Sequence, residues 1–149
     1  MLCFAFAAFI QTQAQDSAKS IKAIIDGKQY VFEPTNTTTG FGRLKQLTSG
    51  YFLQIKGDTL KTYLPYFGKA YTAPINSSDA AFDFTSTNFI YAVSEGKKHS
   101  FNISIKTKDQ RFNTDFTLTV YDNGSAYLRA NNSNLQSVSY KGNVREKNK

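Results

Sequence analysis

The chain has 149 residues, 40% hydrophobic and 19% charged, with one Cys, one His and no Trp. That length fits one compact domain, and those proportions exclude wholesale disorder. One His and one Cys exclude most chemistry centred on His, Cys or metal clusters, and the net charge of +7 raises anionic partners without arguing for one.

Residues Leu2 to Ile10 form an apolar run. A membrane-spanning helix needs about 20 residues, so this run is too short to cross a bilayer. The polar stretch Gln11 to Gln15 follows, and Ala14 with Thr12 fits the small-residue pattern of a signal-peptidase site. The pattern predicts a signal peptide over residues 1–14, cleaved after Ala14, and one domain over 15–149. The competing reading is a buried N-terminal helix or strand. The basic segment that usually opens such a signal is missing. Cys3 precedes the bulk of the apolar run, which argues against a lipid anchor through it. Cleavage leaves a chain with no cysteine, hence no disulfide, thiol nucleophile or thiolate metal site. The expected location is the periplasm or the exterior of the cell, with no transmembrane segment in the mature chain.

One short helix comes next. Asp16 or Ser17 caps it, Ala18, Ile21, Ile24 and Ile25 form its apolar stripe, and Gly27 supplies a left-handed stop. The apolar period then changes to two. Tyr30 and Phe32 share one face, and Tyr51, Leu53 and Ile55 share another. Leu60, Thr62 and Leu64 follow the turn Gly57-Asp58, and Phe82 alternates with Phe84. Phe89, Tyr91 and Val93 precede a turn at Glu95-Gly96. Phe101, Ile103 and Ile105 come next, then Phe116, Leu118 and Val120. Asp122-Asn123-Gly124 is the strongest hairpin signal, because Asn-Gly accepts the positive φ angles of a tight turn. Ala126, Leu128 and Ala130, then Val138, Tyr140 and Val144, close the series.

These segments predict eight to ten mainly antiparallel strands, an all-β barrel or sandwich with one buried face. A transmembrane barrel would need lipid-facing apolar residues and aromatic girdles on longer strands. Here the second faces carry Lys and Asp.

Few residues offer chemistry. His99 stands beside a turn without a second His, so a His-based metal site is not expected. Asp26, Asp58, Glu95, Asp109 and Asp122 sit where turns use acids. No phosphate-cradling glycine motif and no Gly-x-Ser-x-Gly occurs. Nothing in the spacing demands a catalytic carboxylate pair. No cofactor is expected. The basic residues are dispersed, with Lys97-Lys98 the only adjacent pair, so nucleic acid is not expected as a partner.

The densest segment runs Tyr63-Leu64-Pro65-Tyr66-Phe67-Gly68-Lys69-Ala70-Tyr71. Pro65 breaks the ladder and Gly68 permits an unusual turn. Tyr63, Tyr66, Phe67 and Tyr71 are candidate contacts at the mouth of an apolar ligand pocket. The alternative is a strand crossing that covers the barrel end with aromatic core.

Asp58-Thr59-Leu60, Leu64-Pro65-Tyr66-Phe67-Gly68 and Ala70-Tyr71 resemble the signature of the domain of unknown function 4251. Leu118-Thr119-Val120 with Asp122-Asn123-Gly124, Ala126 and Leu128 resembles its second block, and Ser139-Tyr140 with Gly142 its closing block. The resemblance covers roughly residues 17 to 145. It implies an exported protein of Bacteroidetes with a lipocalin-like β-barrel, and brings no activity, cofactor or catalytic residue. Asp16-Ser17-Ala18 and Asp58-Thr59-Leu60 also resemble the Asp-Ser/Thr-aliphatic acceptor of Bacteroidetes periplasmic O-glycosylation, which makes Ser17 and Thr59 candidate sites.

The first functional expectation is a non-enzymatic exported barrel that binds a small apolar or amphipathic ligand. The second is a structural or interaction module of the cell envelope, with an envelope protein as partner. The third, a hydrolase of envelope glycans or lipids, requires two carboxylates converging in a cleft. An internal cavity favours the first, and a barrel filled by its own side chains counts against it.

Overall fold

The computed structural model describes residues 20–38, 42–67, 80–110 and 113–147. The expected signal segment, Cys3, Ser17 and Tyr71 lie outside the described residues. A helix, α1, spans residues 20–26, and its Ile21, Ile24 and Ile25 are buried as the stripe predicts. The left-handed stop differs from expectation. It falls on Lys28, with φ 50°, not on Gly27. The Gly27 amide still donates to the Ala23 carbonyl at 2.9 Å, so the helical bonding outlasts the helix by one residue. The Lys28 ammonium lies 5.0 Å from the Tyr91 ring centroid, an attraction that helps hold the reversal.

Ten strands are described: β1 (Gln29–Thr38), β2 (Leu44–Gln46), β3 (Phe52–Lys56), β4 (Thr59–Pro65), β5 (Ala80–Ser86), β6 (Phe89–Glu95), β7 (Ser100–Thr107), β8 (Thr114–Tyr121), β9 (Ser125–Asn132) and β10 (Leu135–Glu146). They form one antiparallel sheet in the order β5-β4-β3-β1-β10-β9-β8-β7-β6, with β2 attached to β1 beside that path. Along that path β3-β4-β5 and β6-β7-β8-β9-β10 are runs of sequence neighbours, and β1 joins the two runs by pairing with β3 and β10. The sheet curls into a nearly closed barrel whose one seam lies between β5 and β6.

Period two decides which side chains fill it. Tyr30, Phe32, Leu53, Ile55, Leu60, Leu64, Phe116, Leu118, Leu128 and Tyr140 are fully buried. Glu33, Lys61, Asp83, Lys106 and Arg129 occupy outward positions between them and are exposed. The apolar face therefore points inward. Among the described residues no helix is long and apolar enough to cross a membrane.

Two strand expectations change. Tyr51 does not share the inner face of Leu53 and Ile55. It precedes β3, escapes the ladder, and stacks outside on Tyr63 with ring centroids 5.6 Å apart. Val93 is 40% exposed and Phe89 and Tyr91 are only half-buried, because β6 has a neighbour on one side only. The turns also sharpen. Gly57, with φ 59°, heads a two-residue hairpin between β3 and β4. At Asp122-Asn123-Gly124 only Gly124 takes positive φ, at 86°, so the link is a three-residue turn.

The connection between β5 and β6 is tied down by the one between β7 and β8. Asp109 accepts from the Ser86 hydroxyl at 2.5 Å and from the Thr87 and Asn88 amides at 3.1 and 3.3 Å. The closure between β1 and β10 depends on a glycine. The register shifts between Pro34 and Asn36, and Gly142 lies opposite Pro34. A Cβ on Gly142 would stand 2.1 Å from the Glu33 carbonyl oxygen.

Candidate functional site

The aromatic segment does not assemble one pocket. Tyr63 points outward, 38% exposed, against Tyr51. Tyr66 turns its ring edge onto Phe82 at 6.3 Å, and its hydroxyl accepts the Gln136 amide at 3.0 Å. Phe67 lies under the Lys45 ammonium, 3.6 Å from the ring centroid. None of these three lines either of the surface depressions described below. The interior at this end is closed by side chains. Leu64 and Tyr140 are fully buried, and the Tyr140 hydroxyl donates to the Pro65 carbonyl. Burial holds the Tyr140 hydroxyl far above its ordinary value, with nearby Tyr66 adding to the rise.

Thr59 opens β4 at the Gly57-Asp58 hairpin, half-buried beside an exposed Asp58. His99 is exposed in the β6–β7 turn with φ 54°. Among the described residues no group of three or more His, Cys, Asp or Glu assembles as a metal site.

One depression among the described residues lies on the outside of the barrel, a groove of about 780 Å³. It forms where β1 changes partners. Residues Gln29 to Phe32 pair with β3, whereas Asn36 to Thr38 pair with β2. The intervening loop, residues 47–51, arches over the unpaired stretch. The Leu47 amide anchors it by donating to the Thr35 carbonyl at 2.9 Å. Loop residues Thr48, Ser49 and Tyr51 form one wall, and outward side chains of β1, β3, β4 and β10 form the floor.

Register explains the floor. Lys61 faces Gln54, Gln54 faces Val31, and Val31 faces Arg145, a transverse row across four strands. Phe52 and Asn143 line the groove one step along, and Lys147 lies at its end. Glu33 binds the Arg145 guanidinium in a fork, at 2.8 and 3.1 Å. That hydrogen bonding holds the Glu33 carboxyl below its ordinary range against the opposing effect of desolvation, with Arg145 and Lys147 charges assisting. Both side chains are about half exposed, so solvent screens the pair and it mainly fixes geometry. A second depression of about 190 Å³ lies beside Leu44 and Tyr127.

The family model for the domain of unknown function DUF4251 matches residues 12–144. The chain belongs to the DUF4251 family. A crystal structure of a DUF4251 family protein from Bacteroides eggerthii DSM 20697 is similar, with a TM-score of 0.64 and 17% identity over 91% of each chain. At that identity the likeness speaks for the fold. No curated protein matches the chain.

Within this DUF4251 chain the motif blocks meet in space. Pro65 and Tyr66 belong to the aromatic block, Tyr140 to the closing block, and the Tyr140–Pro65 bond joins the two. Their packing makes the aromatic motif a clasp of the barrel end. Sequence reasoning missed the groove residues Glu33, Gln54, Asn143 and Arg145. Period two places all four on the outer face. It carries no signal that Glu33 meets Arg145, 112 residues away.

Proposed function

We propose that this DUF4251 protein is an exported, non-enzymatic binding module whose contact surface is the outer face of β1, β3, β4 and β10. The observation that carries this reading is the division between inside and outside. The lumen is packed with Tyr30, Phe32, Phe116, Leu128 and Tyr140, all fully buried. The polar, aromatic and charged groups that converge on space lie in the external groove. This favours an interaction module over a carrier of a small apolar ligand inside the barrel. Glu33, the carboxylate among the described groove residues, is held ionised by Arg145, which suits a positioning role better than proton transfer. The signal-like residues 1–14 support export.

The test is residue-resolved titration. The ¹⁵N- and methyl-labelled mature chain is mixed with glycan, protein and lipid fractions of its native envelope. Shifts at the side-chain amides of Gln54 and Asn143 are expected with at least one fraction. Shifts confined to lumen methyls of Leu53, Leu118 and Leu128, or no shift with any fraction, overturn the proposal.

A further inference from the structure

The outer groove combines features that select a ligand class. Its cations are Lys61, Arg145 and Lys147 against one carboxylate, Glu33. Glu33 already occupies the Arg145 fork. Among the described residues no carboxylate is within ion-pair distance of Lys61 or Lys147. The groove therefore carries uncompensated positive charge at both sides of its floor. Lys61 and Arg145 are separated by three strand intervals, about 14 Å. That span suits a chain of several units better than a single small anion.

The other groups are not those of a simple anion trap. Tyr51 lines the wall with its ring braced by Tyr63 at 5.6 Å, and Phe52 lies beside it. Braced aromatic rings offer flat apolar plates with little entropy left to lose. Gln54 and Asn143 each present a donor and an acceptor, and Thr48 and Ser49 present hydroxyls. A sugar ring shows C–H groups on its faces and hydroxyls around its edge. Plates beside amides match both, and the lysines add a preference for acidic units.

We propose that this groove binds an anionic saccharide chain, a claim that rests on the outer-face reading above. Rival anionic partners fit less well. Nucleic acid is held by a continuous basic track, and here two lysines stand free across a floor of amides. A lipid surface calls for protruding apolar side chains, and this site is concave. A peptide strand seeks an open sheet edge, and the one gap in this floor, Glu33 to Thr35 of β1, is three residues long with its Thr35 carbonyl already taken by the Leu47 amide.

The test uses the full mature chain with galacturonate oligomers as the acidic probe. Dextran oligomers, a short DNA duplex and phosphatidylglycerol vesicles are the comparison probes. Binding is followed by calorimetry and by side-chain amide shifts. The expected result is binding to the galacturonate oligomers with shifts at Gln54 and Asn143. Affinity should fall at least tenfold in K61E/K147E. K106E should leave it nearly unchanged, since Lys106 is exposed on β7 away from the groove. Equal binding of dextran overturns the preference for acidic units. Tighter binding of DNA or vesicles overturns the ligand class, and an equal loss in K106E reduces it to net charge. If native envelope fractions shift the groove amides but the galacturonate oligomers do not, the ligand class fails and the outer-face reading stands. If neither shifts them, both fail.

Discussion

Tyr140 donates its hydroxyl proton to the carbonyl of Pro65, 75 residues earlier, inside the closed end of the barrel. The bond links the last strand to the residue that ends β4. It reaches a buried residue that pairs with Ala80 just past the register shift after Leu64. Removing the hydroxyl takes this bond from the Pro65 carbonyl inside the core. Y140F is expected to lose about 2 kcal/mol in urea unfolding. A loss below about 0.5 kcal/mol would mean that water replaces the bond. Y66F should cost less, since the Gln136 amide it strands is only half-buried.

The β1–β10 closure makes a separate demand. At Gly142 a Cβ would meet the Glu33 carbonyl oxygen and the Pro34 Cα. G142A is expected to destabilise by about 3 kcal/mol through backbone displacement. Gly57 has φ 59° with open space around its Cβ position. G57A should cost only about 1 kcal/mol, the strain of a left-handed alanine. Thermal unfolding of the two variants separates close approach from conformational strain. Equal losses would refute the distinction.

The β5–β6 corner should respond to acid. The Ser86 hydroxyl bond, aided by Gln110 and the Thr87 amide, holds the Asp109 carboxyl down to about 2 from an ordinary 3.8. A carboxyl lowered in the folded state stabilises fully above its unfolded value and stops doing so as pH falls through its folded value. The corner's protection should therefore be complete above about pH 4 and lost toward pH 2. Amide exchange protection at Thr87 and Asn88 measures this. D109A should lack the protection already at pH 7, while protection in the β8–β9 ladder stays unchanged.

Alkaline pH should act through the core. Burial raises the Tyr30 and Tyr140 hydroxyls above the ordinary 10, with Tyr91 adding to the rise at Tyr30. The Tyr30 and Tyr91 hydroxyls share a hydrogen bond at 3.0 Å. A group whose folded value is raised contributes stability that is whole below its unfolded value. That contribution falls as pH climbs from about 10 toward the folded value. Ionisation of the buried Tyr30 and Tyr140, read as tyrosinate absorbance, should come only with loss of near-ultraviolet dichroism. Titration of all tyrosines without unfolding would contradict this.

Export and modification have a common measurement. Protein recovered from its native envelope should begin at Gln15, and a glycan on Thr59 or Ser17 would appear as added mass that T59A or S17A removes. An unprocessed N-terminus or an unmodified mass rejects the corresponding expectation.

The strand faces were legible because period two is a local property. Leu53 with Ile55, and Phe116 with Leu118 and Val120, needed no knowledge of their neighbours. The same locality explains what went unseen. Tyr51 obeys the period of β3 in sequence, yet it lies before the ladder that would enforce it. Lys28 takes the left-handed turn expected of Gly27 because the helical hydrogen bonds run one residue further. The four aromatic candidates are close in sequence, but their described members turn to different sides of β4 and its end. The sequence alone thus determined the strand set, the inward apolar face, the glycine-headed hairpin at Gly57 and the family. Only the tertiary structure decided that β1 changes partners, that Tyr30, Phe116 and Tyr140 meet in the interior fully buried, and that Lys61, Gln54, Val31 and Arg145 form one row. Those facts depend on register between strands far apart in the chain, and pairing energy, unlike side-chain period, is not written in any one segment.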